Sequence, residues 1–377
     1  MAAGSCLRGM GRCARLRPAM PRKKNSGTTN AKNRKPDAVA AKRPVSLKEL
    51  AAHLGLSTTT LSLVLNGSAV ADSIPQETKD RIFDAAREFN YRPNYIARSL
   101  RAQRTFTLGV MVPELSDGYS AAVLSGVEDH LLQEGFFYFV ASHRHRPELI
   151  EKYPQFFLER SVEGLITVDT PQRRPSPLPV VSVSGHDDTP GVTNIVLNHQ
   201  RAAELALEHL IDFGHRRIAV IKGQDFSSDT EIRWRSIRDA AIKFHVPIHS
   251  SLVSQLESDS PSPETGYLAT KRLLASGESF TALFAFNDIS AIGAIRALRE
   301  AGLNVPEDVS VVGFDDVHAA AFHNPALTTI RQPLRQMGKL AAEHVLKRIA
   351  NGAAEAFPEM VTVEPELIIR QSTARTK

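Results

Sequence analysis

Two sets of residues in this 377-residue chain have types and spacings that could do chemistry. The first begins at Ser57, which can cap a helix whose buried stripe is Leu61, Val64 and Leu65. That stripe leaves Thr58, Thr59 and Ser62 pointing elsewhere, and small polar side chains at the start of a helix suit the base edges of a DNA major groove. The second set is titratable. Asp187-Asp188 and Asp315-Asp316 are carboxylate pairs, but adjacent residues of one chain point apart, so neither is an acid/base couple by itself. His143 and His145 could suggest a metal, yet no third ligand lies at helical or hairpin spacing nearby, and a solvated loop is expected there. Phosphate-loop, dinucleotide, nucleophile-elbow and zinc-protease motifs are all missing, so neither catalysis nor a cofactor or metal is expected.

The elements that must position the first set are short helices with clear punctuation. Ser46 and Glu49 have capping-box spacing, and Leu47, Leu50, Ala51 and Leu54 recur on one helical face until Gly55 ends it. Only Gly55-Leu56-Ser57 separates this helix from the next. A third helix is predicted from Ser73 and Gln76, again in capping-box spacing, with Pro75 in the first turn and Ile82, Ala86 and Phe89 buried. Three such helices with a tight Gly-containing turn describe a helix-turn-helix domain. After Tyr91-Arg92-Pro93, the eight residues Asn94 to Arg101 have weak helical character. They fall below the roughly 12 to 15 residues an isolated helix needs, so they should be helical only against a partner.

From Thr107 onward, apolar runs alternate with amphipathic stretches, the pattern of a parallel sheet covered on both faces. Strands are predicted at 108–112, 136–141, 164–168, 180–183, 218–222, 283–286 and 309–313, with helices at 121–133, 200–213, 266–275 and 289–301. The stretch is too long for one such sheet, which predicts an α/β body of two doubly wound parallel-sheet subdomains with a cleft between them. The resulting division is a basic disordered arm (1–43), an all-α head (44–92), a hinge helix and linker (93–104) and the body (105–377).

Charge follows the same division. The arm holds 12 Lys and Arg against Asp37 alone, while residues 105–377 hold 26 against 34 acids, so a polyanion would be held at the N-terminal end. For the arm two plainer readings stay open: Met20 as the true start, and an organelle transit peptide, which its composition resembles. Cys6 and Cys13 are the only cysteines, which leaves no disulfide framework and suits a reducing cytoplasm. No apolar run approaches a membrane span and no secretory signal is evident, so no membrane association is expected.

The combined pattern resembles the lactose repressor (LacI/GalR) family of bacterial transcription regulators. The likeness is carried by VSLKELAAHLGLSTTTLSLVLN from Val45, Asn90-Tyr91-Arg92-Pro93-Asn94, Ala97-Arg98-Ser99-Leu100 and Leu108-Gly109-Val110. It continues through Gly164-Leu165-Ile166, Gly214-His215-Arg216-Arg217-Ile218, Phe286-Asn287-Asp288, Gly313-Phe314-Asp315-Asp316 and Pro325-Ala326-Leu327-Thr328-Thr329-Ile330. The resemblance implies a periplasmic-binding-protein-like body and a homodimer that binds a double-stranded DNA operator as a repressor, in the bacterial cytoplasm on the nucleoid. In the head, it implies that Thr58, Thr59 and Leu63 read bases within a segment that also includes Ser57, Thr60, Ser62 and Asn66. Leu63 stands where the family commonly has a polar residue; it can meet a thymine methyl but cannot hydrogen-bond guanine.

Across the hinge, the resemblance implies that Ala97 and Leu100 enter the minor groove, with Asn94 and Arg101 beside them. In the body, it implies a small-molecule effector, a sugar, held by Asp169, Arg233, Asn287 and Asp315. Tyr119 and Trp234 could stack on its ring. Ser236 replaces the Gly of the family's Arg-x-x-Gly. No leucine heptad follows Glu366 to Arg370, so a dimer without a tetramerising helix is expected. The other readings to separate are a periplasmic-type sugar-binding protein without regulatory role, and a Rossmann-type enzyme.

Overall fold

A computed structural model describes residues 45–92, 99–100, 102–116, 118–171, 174–186, 189–258, 260, 262–352 and 357–376. The expectations placed on the arm, on Asn94, Ala97 and Arg101, and on Asp187 and Asp188 lie outside these residues. The chain divides into two compact units at Asn94/Tyr95.

The first unit packs three helices, α1 (Leu47–Leu54), α2 (Thr58–Leu65) and α3 (Gln76–Glu88). Local chemistry sets the ends of the first two. Glu49 N–H donates to Ser46 Oγ at 3.2 Å while Ser46 N–H donates to the Glu49 carboxylate at 2.7 Å, the reciprocal bonds of a capping box. Gly55 ends α1 at φ 65°, a left-handed conformation that a side chain would strain. Leu50, Leu61 and Ile82, one from each helix, meet at 0% exposure.

The start of α3 differs from expectation. Ser73 closes a 3-10 turn (Ala69–Ser73) and its hydroxyl donates back to Val70 O at 2.9 Å, so no capping box forms; Pro75 precedes α3 without a side-chain cap. Ala85 rather than Ala86 is buried, with Ala86 and Phe89 half-buried against the same core, as is Leu65.

The second unit contains two six-stranded sheets, ordered β11-β5-β4-β3-β1-β2 and β12-β10-β9-β8-β6-β7. The strands of the first are β1 (Thr107–Val112), β2 (Phe137–Ser142), β3 (Gly164–Val168), β4 (Val180–Val183), β5 (Val192–Leu197) and β11 (Met360–Val363), all paired in parallel. The second comprises β6 (Ile218–Lys222), β7 (Val253–Gln255), β8 (Ala282–Phe284), β9 (Ser310–Asp315), β10 (Thr328–Arg331) and β12 (Glu366–Ile368), with β12 antiparallel to β10 at one edge. Helices α4 (Gly118–Gln133), α5 (Pro147–Glu159), α6 (His199–Asp212), α7 (Asp229–Lys243), α8 (Pro263–Ala275), α9 (Asp288–Glu300), α10 (His318–Phe322) and α11 (Leu334–Asn351) complete the order. The chain passes between the sheets three times, after β5, after β10 and after β11. Three strands bridging one crevice make a hinge, and the crevice at the carboxyl ends of parallel strands is where ligands bind in such sheets. Among the described residues, no helix is long and apolar enough to cross a membrane.

Two helix pairs approach so closely that only glycine fits. A Cβ on Gly126 of α4 would overlap the Arg335 carbonyl of α11, and one on Gly338 would overlap the Val123 carbonyl; Gly266 and Gly293 do the same for α8 and α9. Backbone is on the receiving side, so a neighbouring rotamer change cannot relieve the overlap. Gly126→Ala is expected to destabilise the body by about 1–3 kcal/mol. At roughly 2–4 °C per kcal/mol for a unit of this size, the loss should be plain in a melting curve. An unchanged melting temperature would contradict the close approach.

Candidate functional site

In the first unit, Ser57 starts α2 by accepting the Thr60 N–H at 3.0 Å, and its hydroxyl meets the Thr60 hydroxyl at 2.8 Å. Thr60 is thereby engaged, whereas Thr58 and Thr59 in the first turn are exposed. Asn66 donates to Ser62 O at 2.7 Å and to Ser62 Oγ at 3.1 Å, closing the helix. Leu63 is half-buried against the head core, so only part of its side chain faces outward. In the second unit Leu100 is 76% exposed, a large apolar side chain left in water.

Tyr119, Asp169, Arg233, Asn287 and Asp315 line one cavity in the second unit. Their positions follow from the fold: Tyr119 and Arg233 lie on α4 and α7, Asn287 caps α9, and Asp169 and Asp315 lie at the carboxyl ends of β3 and β9. Asp169 (φ 40°) and Asp315 (φ 105°) occupy the left-handed region, strain of a kind concentrated at functional sites. Tyr119 Oη lies 2.6 Å from Ser184 Oγ, and Asp169 accepts Ser228 N–H at 2.9 Å and Ser228 Oγ–H at 2.6 Å. Asn287 spends its Oδ1 on the Ser290 N–H at 2.8 Å. Gln332 donates to Asp315 at 2.6 Å. Asp316 turns away to Arg331 and Arg370, so the adjacent carboxylates do point apart.

Arg233 is the most constrained member. Its guanidinium lies 3.7 Å from the Phe314 ring centroid and 4.3 Å from that of Phe286; it donates to Asp229 at 3.0 Å and to the Phe286 carbonyl. Its Nε is buried with no partner. Burial opposes ionisation of Asp229, but His199, His186 and Arg233 together hold its pKa well below the usual carboxylate range. Burial and the Asp229 charge push Asp169 up, and burial pushes Tyr119 well up. Burial likewise lifts Asp288, which lies beneath the cavity and accepts from Thr329 and from Val317 N–H.

Residues 46–94 match the family described as bacterial regulatory proteins, lacI family, and residues 207–373 match the periplasmic binding protein-like domain. The HTH-type transcriptional repressor PurR of Haemophilus influenzae is 32% identical over 338 residues, covering 87% of this chain and 98% of that protein. PurR of Aliivibrio fischeri is 32% identical over 339 residues, with the same coverage. The chain belongs to the lacI family. Among solved structures, the lac repressor dimer bound to operator and the anti-inducer ONPF is similar at TM-score 0.78 and 26% identity, covering 88% of this chain and all of that one. The regulator CelR in complex with cellobiose follows at TM-score 0.65 and 28% identity, covering 88% and 100%.

Membership of the lacI family sets aside a sugar-binding protein without regulatory role, because the regulatory head is present, and sets aside the enzyme reading. Several local expectations change. His143 is fully buried rather than in a solvated loop: its Nε2 lies 2.8 Å from Thr170 Oγ1, its Nδ1 accepts the His145 N–H, and burial lowers its pKa to about 4. His145 lines the cavity and packs against Phe226 at 3.9 Å between ring centroids. Trp234 does not line the cavity; it is half-buried against the core, with Lys222 5.3 Å from its ring. Ser236 fits where the family has Gly, because its buried hydroxyl donates to Ile232 O at 2.9 Å. Asp229 and Phe226 were not anticipated at the cavity. Asp229 had a usable signal, an acid four residues before Arg233 on one helix face.

Proposed function

We propose that this lacI-family protein is a homodimeric repressor that binds a double-stranded operator and whose affinity for it is set by a neutral sugar in the cleft. The carrying observation is that five polar or aromatic groups from distant parts of the chain surround one cavity in a protein with a lacI-type head. Carboxylates, an amide and a guanidinium suit a polyol, whose hydroxyls both donate and accept. The unpartnered Nε–H of Arg233 supports a ligand oxygen as acceptor, since leaving such a donor unmet costs about 1–3 kcal/mol. The cavity's acids, Glu114, Asp169, Asp229 and Asp315, outnumber Arg233 and favour an uncharged ligand over an anionic one. The division of labour is the arm (1–43), the reading head (44–92), the hinge (93–104) and the sensor (105–377), in the bacterial cytoplasm on the nucleoid.

In this reading Thr58, Thr59 and Leu63 meet bases, Ser57, Thr60, Ser62 and Asn66 shape that helix, and Leu100 with Ala97 wedges into the minor groove between Asn94 and Arg101. Effector binding shifts the operator affinity by its own difference in affinity for the two cleft states, typically about 1–3 kcal/mol or roughly 5- to 150-fold. Gel-shift titration against genomic fragments tests the head. Thr58→Ala and Thr59→Ala should each cut the preference for the selected site over unrelated DNA by about 1–3 kcal/mol, roughly 5- to 150-fold, leaving weak non-specific binding in place. Equal binding to every fragment, before and after substitution, would remove the sequence-specific reading.

A further inference from the structure

Beside the effector cavity three side chains converge, of which the sugar reading uses only the charge of Asp229. His186 Nε2 lies 2.7 Å and His199 Nε2 3.3 Å from one oxygen, Asp229 Oδ1, and the three atoms are all within 4.8 Å of one another. His199 and Asp229 are buried, and the His186 side chain is 15% exposed. No local turn brings them together. His186 follows β4 in the first sheet, His199 opens the α6 connection between the sheets, and Asp229 opens α7 beyond it.

We propose that His186, His199 and Asp229 bind a zinc ion that ties the loop after β4 to α7. Two imidazole nitrogens and a carboxylate oxygen are a donor set suited to this borderline ion. At metal–ligand distances of about 2.0–2.1 Å, tetrahedral ligands stand roughly 3.3 Å apart, the separation His199 already has from Asp229, while His186 at 2.7 Å must draw back by about half an ångström. The ion replaces imidazole–carboxylate hydrogen bonds, so the side chains need only small shifts. The outer contact is also present: Arg233 Nη2 holds Asp229 Oδ2 at 3.0 Å, which orients the carboxylate and leaves Oδ1 facing the two rings. His199 Nδ1 has no partner, so moving its ring proton from Nε2 to Nδ1 breaks no existing bond there. Asp229 lines the cavity, giving a fourth ligand, water, a way in. The acids lining that cavity offset the nearby guanidinium.

The test uses the full chain stripped with chelator and titrated with Zn²⁺ against a chromophoric competitor, with Co²⁺ absorption as the coordination readout. One ion per chain and a tetrahedral Co²⁺ spectrum are expected. His199→Ala and His186→Ala should each weaken Zn²⁺ binding at least about 10-fold. His186→Asn, whose side-chain amide can still donate to Asp229, should keep the metal-free fold while losing the imidazole ligand, which separates ligation from misfolding. Zn²⁺ affinity unchanged in both alanine variants, or an octahedral Co²⁺ spectrum alone, overturns the site. Neither result depends on whether a sugar or an operator binds, so it is distinguishable from failure of the regulatory reading.

Discussion

Replacing Arg233 with alanine should cost the body about 3–5 kcal/mol and abolish high-affinity effector binding together. The side chains of Arg233 and Asp229 are each 5% exposed and 3.0 Å apart. Removing one partner of a buried pair leaves the other charge uncompensated, which is far more costly than the pair's net contribution when intact. Here the loss is compounded. The guanidinium also fills the space between Phe286 and Phe314 and satisfies the Phe286 carbonyl, so alanine leaves a void and an unmet acceptor. Arg233→Lys keeps the charge but not the planar fork or the stacking, and should fall between wild type and alanine. Melting curves and effector titration of the three proteins give the answer. If alanine shifts the melting temperature by less than a few degrees, the cluster is not the buried electrostatic centre described above.

Leu61→Ala should unfold the reading head while the body stays folded. Leu61 is at 0% exposure, one of the three largest side chains of a core that also contains Ala51, Val64, Ala71 and Ala85. Leucine-to-alanine changes in cores cost about 2–5 kcal/mol, and a unit of fewer than about 60 residues buries too little surface to have much more in reserve. Operator affinity should fall at least about 100-fold, which corresponds to roughly 2.7 kcal/mol. Amide exchange would show the head opening while the β1, β3 and β9 amides remain protected. Retained operator affinity with normal head protection would mean that α1, α2 and α3 do not depend on this contact.

How much was legible depended on distance along the chain. Ser46-Glu49, Gly55 and Ser57 act within four residues, so spacing alone placed the first two helices and their ends. Ser73-Gln76 has the same spacing, yet Ser73 bonds backwards into a 3-10 turn, because Pro75 extends the chain just before α3. The fully buried strands β1, β3 and β4 were plain as apolar runs. Strand β5 was missed because Asn194 interrupts it, and β7, β10, β11 and β12 because three or four residues carry no period. Helix α7 was missed because Asp229, Glu231, Arg233, Arg235 and Arg238 obscure its apolar face; Asp229 and Arg233 bury their heads, while the other three are exposed. His143 shows the same limit, since a polar triplet in sequence does not reveal that Thr170 waits to satisfy its ring.

The sequence by itself determined the helix-turn-helix head, the doubly wound character of the body and the family, because each rests on residue order and short-range spacing. Only the tertiary structure decided that Asp229 and Phe226 join the cavity and Trp234 does not, that α4 and α11 touch through glycine, and that His186, His199 and Asp229 meet at one oxygen. The physical reason is the path of the chain. Three crossings between the sheets bring together residues far apart in sequence, and side-chain periodicity carries no information about which strand ends will face each other across a crevice.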